Sequence, residues 1–305
     1  MKIYLAGTGT SHGIPVIACT CKVCRSPDTK DKRMRASAFV RASDGTSIVI
    51  DTGPEFRLQA LNAKLDKVDA VLMTHSHADH LHGIDDLRIF SYPAHSRNIQ
   101  AETAHNGETA SAAKNQRKSL SVYSNKNTLC DIRERFSYIF LPKSGAGGDK
   151  PMLNLLDAEG FTDDNPLRIG SLKIVSVPLL HGTLKTCGWK ISDTASDNPN
   201  KSGAFFAYIT DCSFISEESL NLIRGAEHLV IDSLRERPHP THLSFSQSLG
   251  YAKKIGAKNT WFTHICHEHS HRDIIRKIKK YRADLHIDRS DMRIEPAFDG
   301  LTLYC

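Results

Sequence analysis

The sequence contains no apolar run long enough to cross a membrane. A transmembrane helix needs about eighteen or more consecutive apolar residues, and no stretch of the chain approaches that length. Near the start, Gly7-Thr8-Gly9 and the polar residues that follow interrupt the apolar core that a secretory signal would require. We therefore expect a cytoplasmic protein that has no membrane partner.

Cysteine and excess charge are also scarce. Eight cysteines in 305 residues are too few for a secreted scaffold held together by disulfides. The 40 lysines and arginines exceed the 34 aspartates and glutamates, which gives a net charge of +6. This charge suits an anionic substrate but is small for a dedicated nucleic-acid-binding protein. With 40% hydrophobic residues, the composition is that of an ordinary globular chain.

Short apolar runs rich in β-formers alternate with segments of helical spacing, which indicates an α/β fold. Asp44-Gly45 predicts a hairpin between two of these runs. Several of the predicted strands end in Asp or His, at the position where α/β proteins place their sites. The predicted strands are 2–6, 38–41, 47–50, 70–73, 172–177, 204–209, 229–231 and 261–262, and the predicted helices are 55–65 and 274–281.

The segment 91–150 has weaker periodicity than the rest of the chain. It holds nine Lys/Arg against five Asp/Glu, a net charge of +4. A loop of this length is usually either functional or disordered. We interpret it as an insertion in a single domain that spans 1–305, and a lid, a dimer contact and a disordered excursion remain open. As a lid, it would attract a phosphate-bearing substrate through Lys114, Arg117 and Lys118.

Half of the sixteen histidines lie in two short windows, from His75 to His82 and from His264 to His271. Because alternate residues of an extended chain project to the same side, His75 and His77 can bind one ion. Asp79 and His80, on the turn that follows, can face a second ion. Imidazole and carboxylate ligands suit Zn²⁺, Mn²⁺ or Fe²⁺ at a hydrolytic centre. The alternative is a histidine-rich surface loop without metal.

A second metal signal lies in the spacing C-x-C-x-x-C, formed by Cys19, Cys21 and Cys24. Three thiolates are one ligand short of a closed tetrahedral zinc site. We expect His267 to be the fourth ligand, because it would tie this loop to the second histidine window. His269 and His271 are alternatives, and a redox pair or unligated thiols remain open.

The stretch H-x-H-x-D-H after a predicted strand resembles the signature of the metallo-β-lactamase superfamily. Four further residues match its pattern in order along the chain, namely Asp51, His181, Asp211 and His264. The resemblance covers residues 3 to about 300 apart from the insertion. It implies an αβ/βα four-layer sandwich, in which two mixed sheets are flanked by helices.

The resemblance also implies a ligand set for two divalent ions, Zn or Mn, beside one structural Zn at the cysteines. The first ion would be held by His75, His77 and His181, and the second by Asp79, His80 and His264, with Asp211 between the two. Asp51 would support the loop from His75 to His80, called the metal loop below. An aspartate at Asp211 argues against the β-lactamase type that carries a cysteine there.

Two features narrow the resemblance. The three-cysteine loop and the ending Phe298-Asp299-Gly300-Leu301 are similar to the cyclic-phosphate phosphodiesterases of the carbon–phosphorus lyase pathway and their relatives. In these relatives and in ribonuclease Z, a histidine on a later loop donates a proton to the leaving oxygen. Order along the chain assigns this role to His242, whereas His239 is interpreted as a loop residue.

The implied function is hydrolysis of a small phosphodiester, including a cyclic one. A metal-bridging hydroxide would attack phosphorus at the centre that contains Asp79 and Asp211, and His242 would protonate the departing alkoxide. Arg235 and Arg237 would either grip phosphate oxygens or form surface salt bridges.

Three other functions stay open. They are a ribonuclease Z-like transfer-RNA 3′-processing endonuclease, a thioester or lactam hydrolase, and a non-catalytic metal-binding module. The first is not favoured, because 91–150 lacks the basic, Gly-Pro-rich character of a transfer-RNA-binding arm. Nucleic acid is therefore not the expected partner, and a homodimer is left open.

Overall fold

The computed structural model describes residues 1–92, 118–141, 150–195, 203–288 and 292–305. Within these ranges the strands form two seven-stranded sheets. The first sheet has the order β14-β1-β2-β3-β4-β5-β6. Its strands are β1 (Lys2–Gly7), β2 (Ser37–Arg41), β3 (Ser47–Ile50), β4 (Ala70–Leu72), β5 (Leu120–Ser124), β6 (Leu153–Asp157) and β14 (Thr302–Tyr304).

The second sheet has the order β13-β12-β11-β10-β9-β8-β7. Its strands are β7 (Leu167–Ile169), β8 (Leu172–His181), β9 (Leu184–Asp193), β10 (Phe206–Ile209), β11 (His228–Asp232), β12 (Asn259–Thr263) and β13 (Arg293–Pro296). Each sheet is antiparallel over one half and parallel over the other, with parallel pairing from β3 to β6 and from β10 to β13. Both sheets are therefore mixed, as predicted.

Helices cover the outer faces of the two sheets. Two long helices have the start signals expected of them: Ser244 and Ser270 each form a capping box with the third residue of the helix that follows. The helices, numbered within the described residues, are α1 (Phe56–Asn62), α2 (Ala78–Leu81), α3 (Lys126–Arg135), α4 (Ser137–Phe140), α5 (Glu217–Leu222), α6 (Phe245–Ile255) and α7 (His271–Asp284). Two 3₁₀ segments span Thr29–Asp31 and Ile84–Ser91.

Three buried apolar layers hold the sandwich together. The middle layer contains Ile50 from the first sheet and Trp189 from the second, both fully buried. The outer layers place helices on the sheets, through residues such as Ile132 of α3 and Phe245 of α6. Full burial of an aliphatic or aromatic side chain contributes about 1.5 to 3 kcal/mol. This architecture confirms the predicted α/β class, with two mixed sheets flanked by helices.

The carboxyl ends of strands from both sheets meet at one edge of the sandwich. Three residues within two positions of the ends of β3, β10 and β12 adopt left-handed backbone, with φ of 59° at Asp51, 49° at Asp211 and 57° at His264. Non-glycine residues in this region cost about 1 to 3 kcal/mol each and concentrate at functional sites. The fold thus turns three side chains toward one point at a cost in backbone strain.

The predicted bounds of the insertion, 91–150, need revision. Residues 120–124 form β5 between β4 and β6, and α3 covers this sheet. Residues 118–141 therefore belong to the sandwich and not to an insertion. Their irregular composition hid these elements, because much of α3 is polar and faces outward. Lys114 and Arg117 lie outside the described residues, and Lys118 is exposed.

None of the helices in the described ranges combines the length and the hydropathy that a membrane span requires.

Replacement of Ile132 by Ala tests whether α3 belongs to the folded unit. Ile132 is fully buried against the first sheet, so the cavity should lower the free energy of unfolding by about 2 to 5 kcal/mol. Exposed Glu134 on the same helix is the matched control, and Glu134→Ala should change stability by no more than about 0.5 kcal/mol. Urea denaturation at equal metal loading measures both. Equal, small effects would place α3 outside the core.

Candidate metal centre

The histidine-rich turn, His75 to His80, comes shortly after β4, and contacts with Asp51 hold it in place. The carboxylate of Asp51 accepts hydrogen bonds from the backbone N–H and from the hydroxyl of Thr74, each at 2.8 Å. Gly53 lies so close to the turn that a Cβ there would stand 2.2 Å from the carbonyl oxygen of Asp79. The turn is therefore fixed before any ligand is considered.

The first group of candidate ligands consists of His75, His77 and His181, whose ligand atoms lie within 4.8 Å of one another. His181, at the end of β8, donates through Nδ1 to the carbonyl oxygen of Thr241 at 2.6 Å. This bond leaves Nε2 to face the group, and such a partner on the second ring nitrogen is typical of metal-binding histidines. Burial lowers the pKa of all three imidazoles and favours the neutral form that binds metal.

The second group consists of Asp79, His80, Asp211 and His264, again with ligand atoms within 4.8 Å of one another. His80 Nδ1 donates to Asp51 at 2.7 Å, so that Nε2 points to Asp79 at 3.3 Å and to Asp211 at 3.1 Å. Burial opposes ionisation of both carboxylates, but the neighbouring histidines outweigh it and hold the pKa of Asp79 and of Asp211 below the usual range. All four side chains are buried.

Asp211 stands between the two groups. Its Oδ1 is 3.9 Å from His75 Nε2 and 3.3 Å from His264 Nε2, and its Oδ2 is 3.1 Å from His80 Nε2. Oδ1 thus lies near one histidine of each group, and Oδ2 lies near His80 of the second group. This is the placement expected of a carboxylate that bridges two ions.

The donor set fits divalent cations. His75 Nε2 is buried and has no hydrogen-bond partner among the described residues. A buried polar atom without a partner costs about 1 to 3 kcal/mol. Two ions, each bound by imidazole and carboxylate, would satisfy this atom and neutralise the buried carboxylates. The residues present therefore match a pair of Zn²⁺ or Mn²⁺ ions.

The three cysteines of the N-terminal loop converge on His267. The distance from His267 Nδ1 to sulfur is 3.3 Å for Cys19 and 3.5 Å for both Cys21 and Cys24. The N–H of Cys24 donates to Cys21 Sγ and lowers the pKa of that thiol to about 6, which favours the thiolate. The group therefore has the composition of a closed tetrahedral zinc site.

The two alternatives for the fourth ligand lie elsewhere. His269 is 3.7 Å from a carboxylate oxygen of Glu236, and the ring of buried His271 packs against Phe298. Of the three candidates, the structure brings His267 to the cysteines.

The two candidate metal sites share one short segment, because His264 and His267 are three residues apart. The buried guanidinium of Arg33 donates to the carbonyl oxygen of Cys266, between these two histidines, at 3.4 Å. The backbone of Arg33 also pairs with Ile14, at the start of the cysteine loop. Arg33 thus ties the cysteine loop to the segment that supplies a ligand to each site.

His242 lies beside the centre on the loop after β11. Its Nδ1 is 2.8 Å from buried Asp232, and its ring centroid is 4.7 Å from that of His264 and 4.5 Å from that of His181. Burial opposes protonation of His242, but the charge and hydrogen bond of Asp232 outweigh it and raise its pKa to about 9. His239, by contrast, accepts from the backbone of Thr241 at 3.3 Å within its own loop.

Arg235 and Arg237 are both engaged by Glu268. Arg235 is 3.4 Å from the Glu268 carboxylate, and Arg237 is 2.8 Å from it. In the structure both arginines thus form salt bridges, which was one of their two alternatives. Glu268 lies more than thirty residues away in sequence, so the pattern around the arginines did not indicate it.

Contacts from α3 to the metal loop were missed at the sequence level. The hydroxyl of Ser76, between His75 and His77, donates to Asp131, and its carbonyl oxygen accepts from Arg135. In the sequence, Asn125 could have indicated the start of α3, because asparagine is a preferred N-cap residue. In the structure its side chain accepts from the N–H of Thr128.

Removal of His267 tests the assembly of the cysteine site. His267→Ala and Cys21→Ser should each lose about one metal ion per chain, because each removes a ligand from the same group. His269→Ala is the matched control and should keep the wild-type stoichiometry. Elemental analysis by mass spectrometry measures the metal content. Loss of an ion from His269→Ala, or none from Cys21→Ser, would refute this ligand set.

Comparisons with known proteins agree with this geometry. Residues 46–265 match the family model described as a beta-lactamase superfamily domain. A protein of Porphyromonas gingivalis (strain ATCC BAA-308 / W83), named octanoyltransferase, is 32% identical over 268 residues, which are 88% of this chain and 46% of that protein. This chain spans less than half the length of the curated relatives it matches.

Two solved structures share the fold over the whole chain. The crystal structure of a new diphosphatase from the PhnP family has a TM-score of 0.75 at 30% identity and covers 100% of this chain and 97% of that chain. Zn²⁺-bound PqqB from Methylobacterium extorquens has a TM-score of 0.69 at 16% identity, with both chains covered completely. The family match over residues 46–265 shows that the chain belongs to the beta-lactamase superfamily.

Proposed function

We propose that this protein is a phosphodiesterase that hydrolyses a small phosphodiester, including a cyclic one. The observation that carries the proposal is His242, which is held by Asp232 at 2.8 Å and lies beside ligand candidates of both groups. When bound, a pair of divalent ions would activate water and neutralise charge on the phosphoryl oxygens. Cleavage of an alkyl phosphodiester needs, in addition, a proton for the leaving oxygen.

The side chains around the centre divide the remaining tasks. Asp51 orients His80, and the carbonyl oxygen of Thr241 orients His181, so that each imidazole presents Nε2 to the centre. Asp211 and Asp79 would supply the negative charge that holds the cations. These contacts fix the geometry before substrate arrives, which keeps reorganisation small during the reaction.

His242 is the proposed proton donor. Because Asp232 occupies Nδ1, the proton on Nε2 is the one that His242 can give to a leaving oxygen. The hydrogen bond to Asp232 fixes the ring orientation and stabilises the protonated imidazole. The ligand atoms of His242, His181 and Asp211 also lie within 4.8 Å of one another, so a role as an additional metal ligand is the competing assignment. Metal analysis separates the two roles.

The names of the relatives bear on the choice of reaction. The relative at 30% identity and nearly complete coverage is named a diphosphatase, which supports chemistry at phosphorus. The name octanoyltransferase carries less weight, because it belongs to a protein of which this chain spans 46%. In addition, an acyl-group reaction does not require the proton donor at His242. A small phosphodiester is therefore the proposed substrate, with the thioester hydrolase as the alternative.

Replacement of His242 by Ala tests the proton-donor role. The variant should keep its metal content and lose about 10²- to 10⁴-fold in kcat on a phosphodiester with an alkyl leaving group. The loss should shrink for a bis-aryl phosphodiester, because an acidic phenol departs without a proton. His239→Ala, on the same loop, is the control and should retain near-normal kcat on both substrates.

Two results would contradict this assignment. Loss of a metal ion from His242→Ala would make His242 a ligand. Equal losses on alkyl and aryl substrates would show that protonation of the leaving group is not its task. Absence of turnover on every phosphodiester by the metal-loaded wild type, together with hydrolysis of a thioester, would overturn the proposed substrate class.

A further inference from the structure

The metal loop is held from one side by the last turns of α3. Ser76 stands between the two ligand candidates His75 and His77, and both of its polar groups are engaged. Its hydroxyl donates to the carboxylate of Asp131, and its carbonyl oxygen accepts from the guanidinium of Arg135. The end of α3 therefore places a cation directly against the loop that supplies the first group of ligands.

The position of Arg135 leaves its charge accessible to a ligand of the centre. Its side chain is 44% exposed, and the neighbouring His77 is the exposed member of the first ligand group. The guanidinium is thus partly open to solvent while it donates to the residue that separates His75 from His77.

Other groups neutralise Arg135 only in part. Asp131 is its acidic neighbour at 3.6 Å, and the same carboxylate oxygen also accepts from the Ser76 hydroxyl. By contrast, Arg237 is 2.8 Å from the carboxylate of Glu268, which Arg235 shares. Among these three arginines, Arg135 has the longest ion-pair distance, and it donates to the residue before the candidate ligand His77. A guanidinium presents several N–H donors in one plane, an arrangement that matches phosphate oxygens.

We propose that Arg135 binds a non-bridging oxygen of the phosphoryl group that reacts at the centre. One or more of its N–H donors would point to this oxygen while another remains on the Ser76 carbonyl. For the natural substrate the inference rests on the proposed function, but inorganic phosphate suffices to test it. Arg135 would thus take the role that was one of the two alternatives for Arg235 and Arg237.

The experiment measures binding of inorganic phosphate to the metal-loaded protein by isothermal titration calorimetry at low salt. The wild type is compared with Arg135→Met, Arg135→Lys and Arg133→Met. Arg133 is the matched control, because it lies on the same helix, is exposed, and stacks over the ring of Phe140 at 5.2 Å. Metal content is measured on every sample before titration.

Arg135→Met should weaken phosphate binding by about tenfold, the effect expected when one charge-assisted hydrogen bond is lost from a half-exposed site. Arg135→Lys should recover part of the loss, since it keeps the charge but not the planar donor geometry. Arg133→Met should bind phosphate as the wild type does. All four proteins should hold the same amount of metal. On a bis-aryl phosphodiester, Arg135→Met should raise KM.

Unchanged phosphate affinity in Arg135→Met would overturn the proposal. Loss of metal from this variant would also overturn it, because Arg135 would then act by holding the loop and not by contacting the anion. The outcome is independent of the proposed function. If the wild type turned over no phosphodiester while Arg135→Met still bound phosphate more weakly than Arg133→Met, the anion subsite would stand and the substrate class would fall.

Discussion

The carboxylate of Asp211 is the group on which the rest of the site depends. It is buried among imidazoles from both halves of the chain, with oxygens 3.1 Å from His80 and 3.3 Å from His264. An ionised carboxylate in such surroundings is tolerated only when cations or hydrogen-bond donors compensate it. Two divalent ions, one on either side of Asp211, would provide that compensation. The sandwich, the strained strand ends and the contacts of Asp51 and Thr241 all maintain this arrangement.

The two halves of the sandwich are coupled at this point. The first sheet contributes the histidine-rich turn after β4, and the second contributes the ends of β8, β10 and β12. The segment from His264 to His267 then links the centre to the cysteine loop, and Arg33 holds both through the Cys266 carbonyl. A structural change at the cysteine site would therefore be transmitted to His264 through the short backbone segment between His264 and His267. We interpret the cysteine site as a structural support for the edge of the sandwich that carries the candidate metal centre.

The sequence predicted those parts of the site that are local or follow a known order. His75 to His80 are close in sequence, and the family resemblance assigned His181, Asp211 and His264 to the same site by their order along the chain. The structure brings these residues together. The parts of the site that the sequence did not predict depend on contacts between distant segments. Asp131 is 55 residues from its partner Ser76 in the sequence, and Glu268 is 31 residues from its partner Arg237. Composition also hid β5 and α3, because polar residues dominate 91–150 while only a few buried positions hold its elements in the sheet.

Anomalous diffraction from crystals of the zinc-loaded protein tests the central claim most directly, namely that Asp211 lies between two metal ions. The account predicts two peaks about 3.5 to 4 Å apart. One should be bound by His75, His77 and His181, and the other by Asp79, His80 and His264, with an Asp211 oxygen about 2.0 to 2.2 Å from each. A single peak at the centre, or two peaks of which only one contacts Asp211, would contradict it.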